Sequence, residues 1–290
     1  MRLEEESPTA GMPTISNTRQ PMARNARQPQ FTPITQGKAP GPMDRLSPAR
    51  RPARRSVMRQ NWRELLFLHW ALAPELIRPL IPRELELDLF EGKAYLGLVP
   101  FTMTGVRPTG LPAIAGLSSF HETNVRTYVH IDGRDPGVWF FSLDAANTIA
   151  VRLARGFFHL PYHRARMFLE RERPGPSDQP SPILYAGVRR WPAPLPASYL
   201  IRGQVSGPIR PAVPGTLEHF LAERYLLYTK FQDRLFQGQV HHAPYPLQPA
   251  TVLSLDENLL AAAGLERPST PPLALFAAGV DVEVYALRRL

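Results

Sequence analysis

Polar side chains recur at every second position within residues 120–129, and this stretch offers the clearest chemistry in the sequence. They are Glu122, Asn124, Arg126 and Tyr128. Because side chains alternate across a strand, these four share one face if the segment is a strand. Such a face could line a cavity, with Arg126 binding a carboxylate or another oxyanion and Glu122 acting as a positioning group, acid or base. A solvent-facing stripe would show the same spacing, and the sequence leaves this alternative open.

A second candidate pair, Tyr162 and His163, directly follows Pro161. Histidine titrates near physiological pH, so both side chains could serve as hydrogen-bond donors or as acid and base groups. The alternative is that Tyr162 is a packed aromatic and His163 a surface residue.

Histidine pairs give little support to a metal site. Pro161 interrupts any helix that would bring His159 and His163 together, and the neighbours His241 and His242 would point to opposite faces of a strand. We expect no metal and no cofactor.

The sequence lacks the motifs of several enzyme classes. The chain has no cysteine, which excludes disulfides, thiolate nucleophiles and cysteine-ligated zinc. It has no Gly-x-Ser-x-Gly elbow and no phosphate-binding glycine loop. It also shows no apolar run of 18 residues and no secretory signal, so we expect a cytoplasmic protein that does not enter membranes.

Residues 1–57 differ from the rest of the chain in composition. They hold ten basic and four acidic residues, are rich in proline and show no apolar periodicity, so we predict a disordered tail. The remaining 233 residues hold 24 basic and 21 acidic residues, which argues against a nucleic-acid interface except weakly through the tail. Met58 leaves open a start of translation behind the tail.

The elements that must position the candidate residues are mostly strands. Alternation and turn signals predict strands near residues 63–70, 85–89, 94–101, 120–130, 137–143, 162–170, 183–190, 199–205, 224–231, 235–242, 250–255 and 280–285. Short helices are predicted after Pro74, over 145–155 with Asp144 as N-cap, and over 215–223. Strands 85–89 and 94–101 are predicted to pair as a hairpin, as are 120–130 and 137–143. This pattern indicates an α+β fold with a mainly antiparallel sheet.

Several motifs resemble the YqjF-like family of unknown function (domain of unknown function 2071). The central match is Phe120-x-Glu122-x-Asn124-x-Arg126-Thr127-Tyr128-Val129, followed by residues 137–145. Supporting matches in the same order are residues 62–70, 80–82, 90–92, 99–101, 160–162 and 241–247. The resemblance covers nearly all of residues 58–290 and favours a single domain there.

That family is similar in fold to acetoacetate decarboxylase, which implies an antiparallel β-cone or barrel around a central cavity. The decarboxylase has a cavity-lining glutamate two residues after an aromatic, and Glu122 after Phe120 matches that position. It also has a lysine pair directly after a proline, one of which forms a Schiff base. Here Tyr162 and His163 stand in that place, and the three lysines, Lys38, Lys93 and Lys230, lie elsewhere.

The resemblance therefore implies a small-molecule-binding protein without Schiff-base chemistry. Glu122, Tyr162 and His163 are the candidate catalytic residues, and Asn124, Arg126 and Tyr128 the candidate ligand-binding residues. The ligand would be a metabolite that carries a carboxylate or a carbonyl. A non-catalytic ligand-binding or interaction module is the alternative, and both turnover and a homo-oligomeric state stay open.

Overall fold

The computed structural model describes residues 43–173, 180–194 and 196–290. Its strands are β1 (Met58–Leu72), β2 (Glu86–Leu87), β3 (Ala94–Pro108), β4 (Phe120–Ile131), β5 (Arg134–Ala145), β6 (Tyr162–Arg171), β7 (Ile183–Trp191), β8 (Ser198–Val205), β9 (Leu226–Phe231), β10 (Arg234–His241), β11 (Leu247–Glu257), β12 (Leu273–Val284) and β13 (Arg288–Arg289). Its helices are α1 (Pro74–Ile77), α2 (Thr148–Phe157), α3 (Leu217–Ala222) and α4 (Leu259–Ala262). Two 3₁₀ turns cover Ser47–Ala49 and Arg78–Leu80.

Within the described ranges, the strands close into two rings that share a wall. The large ring runs β5-β6-β7-β8-β11-β12-β1-β3-β4 and returns to β5, and the small ring runs β10-β9-β5-β4-β3-β1-β12 and returns to β10. Strands β1, β3, β4, β5 and β12 belong to both. All pairings are antiparallel except those of β5 with β6 and β9. The predicted α+β fold, a mainly antiparallel β-cone or barrel with a few short helices, is confirmed.

The shared wall is buried on both faces. On β4, Val125 and Val129 pack into a core with Tyr199 and Ile201 of the large ring. The opposite face of the same strand, which carries Glu122, points into the small ring. Because both faces are covered, the polar stripe on β4 is not a solvent-facing surface.

Two local predictions are wrong. Asp144 does not cap α2: the Asn147 side chain accepts hydrogen bonds from the amides of Ile149 and Ala150 instead, because α2 begins three residues later than predicted. The predicted hairpin of β2 and β3 does not form, because β2 pairs with β4 instead. The turn between β2 and β3 contains a single isolated β-bridge, between Phe90 and Lys93.

Part of the segment that composition assigns to the tail lies against the domain. Residues 1–42, including Lys38, lie outside the described ranges. Arg45 donates two hydrogen bonds of 2.6 Å to the Asp88 carboxylate, and Arg51 pairs with Glu283 on β12. The carbonyl oxygen of Pro48 accepts a hydrogen bond from Gln239. We call residues 43–57 the N-terminal strap.

None of the helices in the described ranges has the length and hydrophobicity needed to cross a membrane.

Candidate functional site

The small ring encloses a cavity of about 310 Å³. This is the lower end of the range of about 300–1,000 Å³ that is usual for small-molecule sites. Most of the wall is apolar and comes from β1, β3, β4, β5, α2 and β9. Polar side chains interrupt this wall on β4 and at several positions outside it, so the cavity is apolar with separate polar groups rather than polar-lined throughout.

Strand β4 places three of the predicted residues in this cavity. Glu122, Asn124 and Arg126 all line it, because alternate side chains of the strand point to the same side. A β-bulge between Val125 and Arg126, opposite β5, interrupts the register without moving Arg126 away from the cavity. The structure therefore brings together a carboxyl group, an amide and a guanidinium.

The carboxyl group of Glu122 is held by Tyr162 from β6. The Tyr162 hydroxyl donates a hydrogen bond of 2.7 Å to a Glu122 carboxyl oxygen. Burial, which is the largest effect, and the nearby charge of Asp144 together raise the pKa of Glu122 to about 8, although the hydrogen bond from Tyr162 lowers it. Glu122 is therefore protonated at neutral pH and can donate a proton to a bound molecule.

Protonation of Glu122 should be visible as a pH-dependent stability. The pKa of Glu122 is about 8 in the folded state and near 4.5 in the unfolded state, so the folded protein holds one more proton between these values. Stability must then fall as pH rises through that window. From pH 5 to pH 7 we expect the free energy of unfolding to fall by about 2 kcal/mol more in the wild type than in Glu122→Gln. Urea titrations of both proteins at several pH values measure this, and parallel curves would contradict the assignment.

Arg126 is buried but makes no ion pair with any described carboxylate. Its Nη2 donates to the carbonyl oxygen of Leu221 at 3.1 Å, and its Nε has no hydrogen-bond partner among the described residues. The guanidinium carbon lies 5.6 Å from the ring centres of both Phe67 and Tyr128. A buried cation with a free donor is suited to an anionic ligand group, since burying an unpaired charge is otherwise costly.

Asn124 adds a further unsatisfied group. Its side chain is buried, it lines the cavity between Glu122 and Arg126 on the strand, and its Oδ1 has no hydrogen-bond partner in the described part of the chain. Buried amide oxygens are normally hydrogen-bonded, so this atom is available to a ligand donor.

Tyr128 lies behind the cavity rather than in its wall. Its hydroxyl donates to the carbonyl oxygen of Leu221 at 2.8 Å and lies 2.7 Å from Nε2 of His69. Burial and the charges of Arg126 and Arg224 hold the pKa of His69 well below its usual value, so the imidazole is neutral. Tyr128 and His69 support Arg126 from behind, as core residues.

His163 also lies away from the cavity. It follows Tyr162 on β6 and therefore points to the other face, where its Nδ1 donates to the carbonyl oxygen of Pro192 at 3.0 Å. Burial, which is the largest effect, and the nearby charge of Arg189 together lower the pKa of His163 to about 4. The structure thus separates the two candidates of the Tyr162-His163 pair and joins only Tyr162 to Glu122.

Sequence reasoning missed Arg224 and the two tyrosines Tyr225 and Tyr245, all of which line the cavity. Arg224 follows α3, and its Nη1 pairs with Asp88 at 2.6 Å. Tyr245 lies within the 241–247 motif of the family, which was a usable signal. Arg224 has no such signal in the sequence, because its position depends on Asp88, which lies 136 residues away in the chain.

No lysine lines the cavity in the described part of the chain. Lys93 is exposed in the turn before β3, and Lys230 pairs with Glu84 at 2.9 Å. Among the described residues, no group of three His, Asp or Glu side chains is arranged to hold a metal ion. Two of the histidines weighed above as members of metal-binding pairs have other contacts: His241 contacts the carbonyl oxygen of Ala49, and His159 stacks on Phe231.

Comparison with known proteins places this architecture in a family. The family model DUF2071, described as an uncharacterized conserved protein, matches residues 59–281. The chain belongs to the DUF2071 family. It is 38% identical over 235 residues to the uncharacterized protein YqjF of Bacillus subtilis (strain 168), covering 80% of this chain and 92% of YqjF. The predicted resemblance is confirmed.

Solved structures with the same fold include two enzymes. The enduracididine biosynthesis enzyme MppR, complexed with pyruvate, superposes on this DUF2071 chain with a TM-score of 0.56 at 12% identity, covering 81% of this chain and 91% of MppR. Acetoacetate decarboxylase from Legionella pneumophila gives a TM-score of 0.54 at 12% identity, covering 81% of this chain and 88% of the decarboxylase. The DUF2071 fold is therefore of the acetoacetate-decarboxylase-like type.

Proposed function

We propose that the cavity binds a small metabolite carrying a carboxylate, with a carbonyl group within reach of Glu122, and that no Schiff base is formed. The observation that carries this proposal is Arg126, a buried guanidinium in the cavity wall without a carboxylate partner among the described residues. A carboxylate is the planar anion that a guanidinium binds with the best geometry.

Glu122 supplies the second half of the proposed site. Its protonated carboxyl group can donate a hydrogen bond or a proton to the carbonyl oxygen of the bound molecule, and Tyr162 holds it in place. Asn124 lies between Glu122 and Arg126 along β4 and can accept a ligand donor. Together these side chains would orient a ligand by its acid group at Arg126 and its carbonyl group at Glu122.

Two further observations support this proposal over amine chemistry. Tyr162 follows Pro161 where the decarboxylase has its lysine pair, and its hydroxyl engages the glutamate. A related structure, MppR, holds pyruvate, an acid with an adjacent carbonyl. For this chain, activation of the carbonyl would come from proton donation by Glu122, since no described lysine reaches the cavity.

Calorimetry with pyruvate and acetoacetate tests the proposal. We expect Arg126→Met to weaken binding of these acids at least 30-fold, or about 2 kcal/mol, because truncation of one partner in a buried charged pair costs at least this much. Arg134→Met, at an exposed position on β5, is the matched control and should bind like the wild type.

The fold of Arg126→Met should survive, because the substitution removes a buried charge without breaking an ion pair among described residues. Equal affinity of the wild type and Arg126→Met, or binding of neutral analogues such as acetone as tightly as the acids, would refute the carboxylate site. Binding with no conversion of any acid by NMR would leave the site as a ligand-binding module.

A further inference from the structure

A second guanidinium, that of Arg224, also lines the cavity and lies near the same aromatic ring as Arg126. The guanidinium carbon of Arg224 is 4.8 Å from the ring centre of Tyr128, and that of Arg126 is 5.6 Å from the same ring centre. Both residues are buried, with 8% of their surface exposed. Each keeps one buried nitrogen, Nη2 of Arg224 and Nε of Arg126, without a hydrogen-bond partner in the described part of the protein.

The charged side chains around Arg126 and Arg224 carry more positive than negative charge. Asp88 is shared between Arg224 and Arg45 of the N-terminal strap. Glu223 lies nearby, but its oxygens accept hydrogen bonds from the Tyr225 hydroxyl and the Tyr245 amide rather than from a guanidinium. Three arginines therefore face two carboxylates in this region, and an anionic ligand group would restore the balance.

The mouth of the cavity has the opposite character. Ile149 and Leu153 project from α2 and Ile114 from the loop that joins β3 to β4, and all three line the cavity. They are nevertheless 53%, 52% and 59% exposed. Exposed apolar side chains that continue into an apolar cavity are expected where a ligand covers them with its own apolar surface.

We propose that the ligand is an amphipathic carboxylate, whose acid group lies between Arg126 and Arg224 and whose hydrocarbon chain runs along the apolar wall to the mouth beside α2. This inference rests on the carboxylate site proposed above and adds Arg224 and the chain. It makes Leu153 a determinant of chain length.

A chain-length series on the full 290-residue wild type tests the inference without any variant. We expect octanoate to bind about 60-fold more tightly than butyrate in calorimetry, because each buried methylene contributes roughly a factor of four and about three of the four added ones would be buried. Octan-1-ol, with the same chain but no charge, should bind at least 30-fold more weakly than octanoate.

Matched variants locate the two ends of the ligand. Leu153→Ser should weaken octanoate binding about fivefold and leave butyrate unchanged, whereas Phe157→Ser on the same helix should change neither. Phe157 is the control because it is 73% exposed and does not line the cavity. Arg224→Lys keeps the charge beside Asp88 and should weaken both acids at least tenfold, because a single ammonium group cannot reproduce both the Nη1 bond to Asp88 and the free Nη2 donor.

The outcomes separate the two proposals. If pyruvate, butyrate and octanoate all fail to bind, or bind independently of Arg126, the carboxylate site itself is wrong. Suppose instead that the short acids bind through Arg126, but octanoate binds no more tightly than butyrate and Leu153→Ser leaves octanoate affinity unchanged. The carboxylate site then stands and the amphipathic ligand is overturned. Should Arg224→Lys fail to fold, the chain-length series and the Leu153→Ser comparison still decide.

Discussion

Replacing Arg189 by methionine should lower the free energy of unfolding by about 3–5 kcal/mol, because it leaves the Asp144 carboxylate buried without its partner. Arg189 Nε and Nη2 donate to the two Asp144 oxygens at 2.8 and 3.2 Å. The two side chains are only 1% and 2% exposed, so water cannot take the place of the guanidinium. Urea unfolding at pH 7 measures the loss.

The double variant Asp144→Leu with Arg189→Met is the control for this prediction. It removes both charges and keeps most of the side-chain volume, so it should recover most of the lost stability. If the double variant were as unstable as Arg189→Met, packing rather than the unpaired charge would explain the loss.

Removing the N-terminal strap should cost about 3 kcal/mol of stability. A chain that begins at Met58 lacks Arg45, which holds the buried Asp88 by two bonds of 2.6 Å. Loss of one partner of a buried charge costs about 3–5 kcal/mol, and the remaining bond from Arg224 to Asp88 keeps the effect at the lower end.

A chain that begins at residue 43 is the matched control, because it keeps the whole strap and differs from the shorter chain only by residues 43–57. Arg45→Met in the full chain should reproduce most of the loss. Equal melting temperatures of the chains that begin at residues 43 and 58 would show that the strap contributes nothing to stability. It would also make Met58 a workable start of the protein.

The sequence predicts the strands well, because their signals are local. The hairpin of β4 and β5 and the helix α2 follow from alternation and turn residues and are confirmed within a few positions. The stripe of Glu122, Asn124 and Arg126 was predicted to share one face, and the structure places these three side chains in one cavity.

What the sequence could not predict depends on contacts between distant segments. Alternation within β4 cannot tell a solvent-facing side from a second interior, so the double ring was not foreseeable from that strand alone. Composition assigned Arg45 to a disordered tail, although its partner Asp88 lies 43 residues away. For the same reason, the sequence does not indicate Arg224, and alternation predicts Tyr128 as a lining residue although it lies behind the cavity.

The shared wall between the two rings has a consequence for how this family can diversify. A cavity lowers stability because its lining side chains lose packing contacts. Here the large ring carries a continuous core of its own on the far side of the same strands. Substitutions in the small ring can therefore change the shape of the cavity while the core of the large ring continues to stabilise the fold. Related chains should vary more among the residues that face the cavity than among those, such as Val125, that face the other way on the same strand.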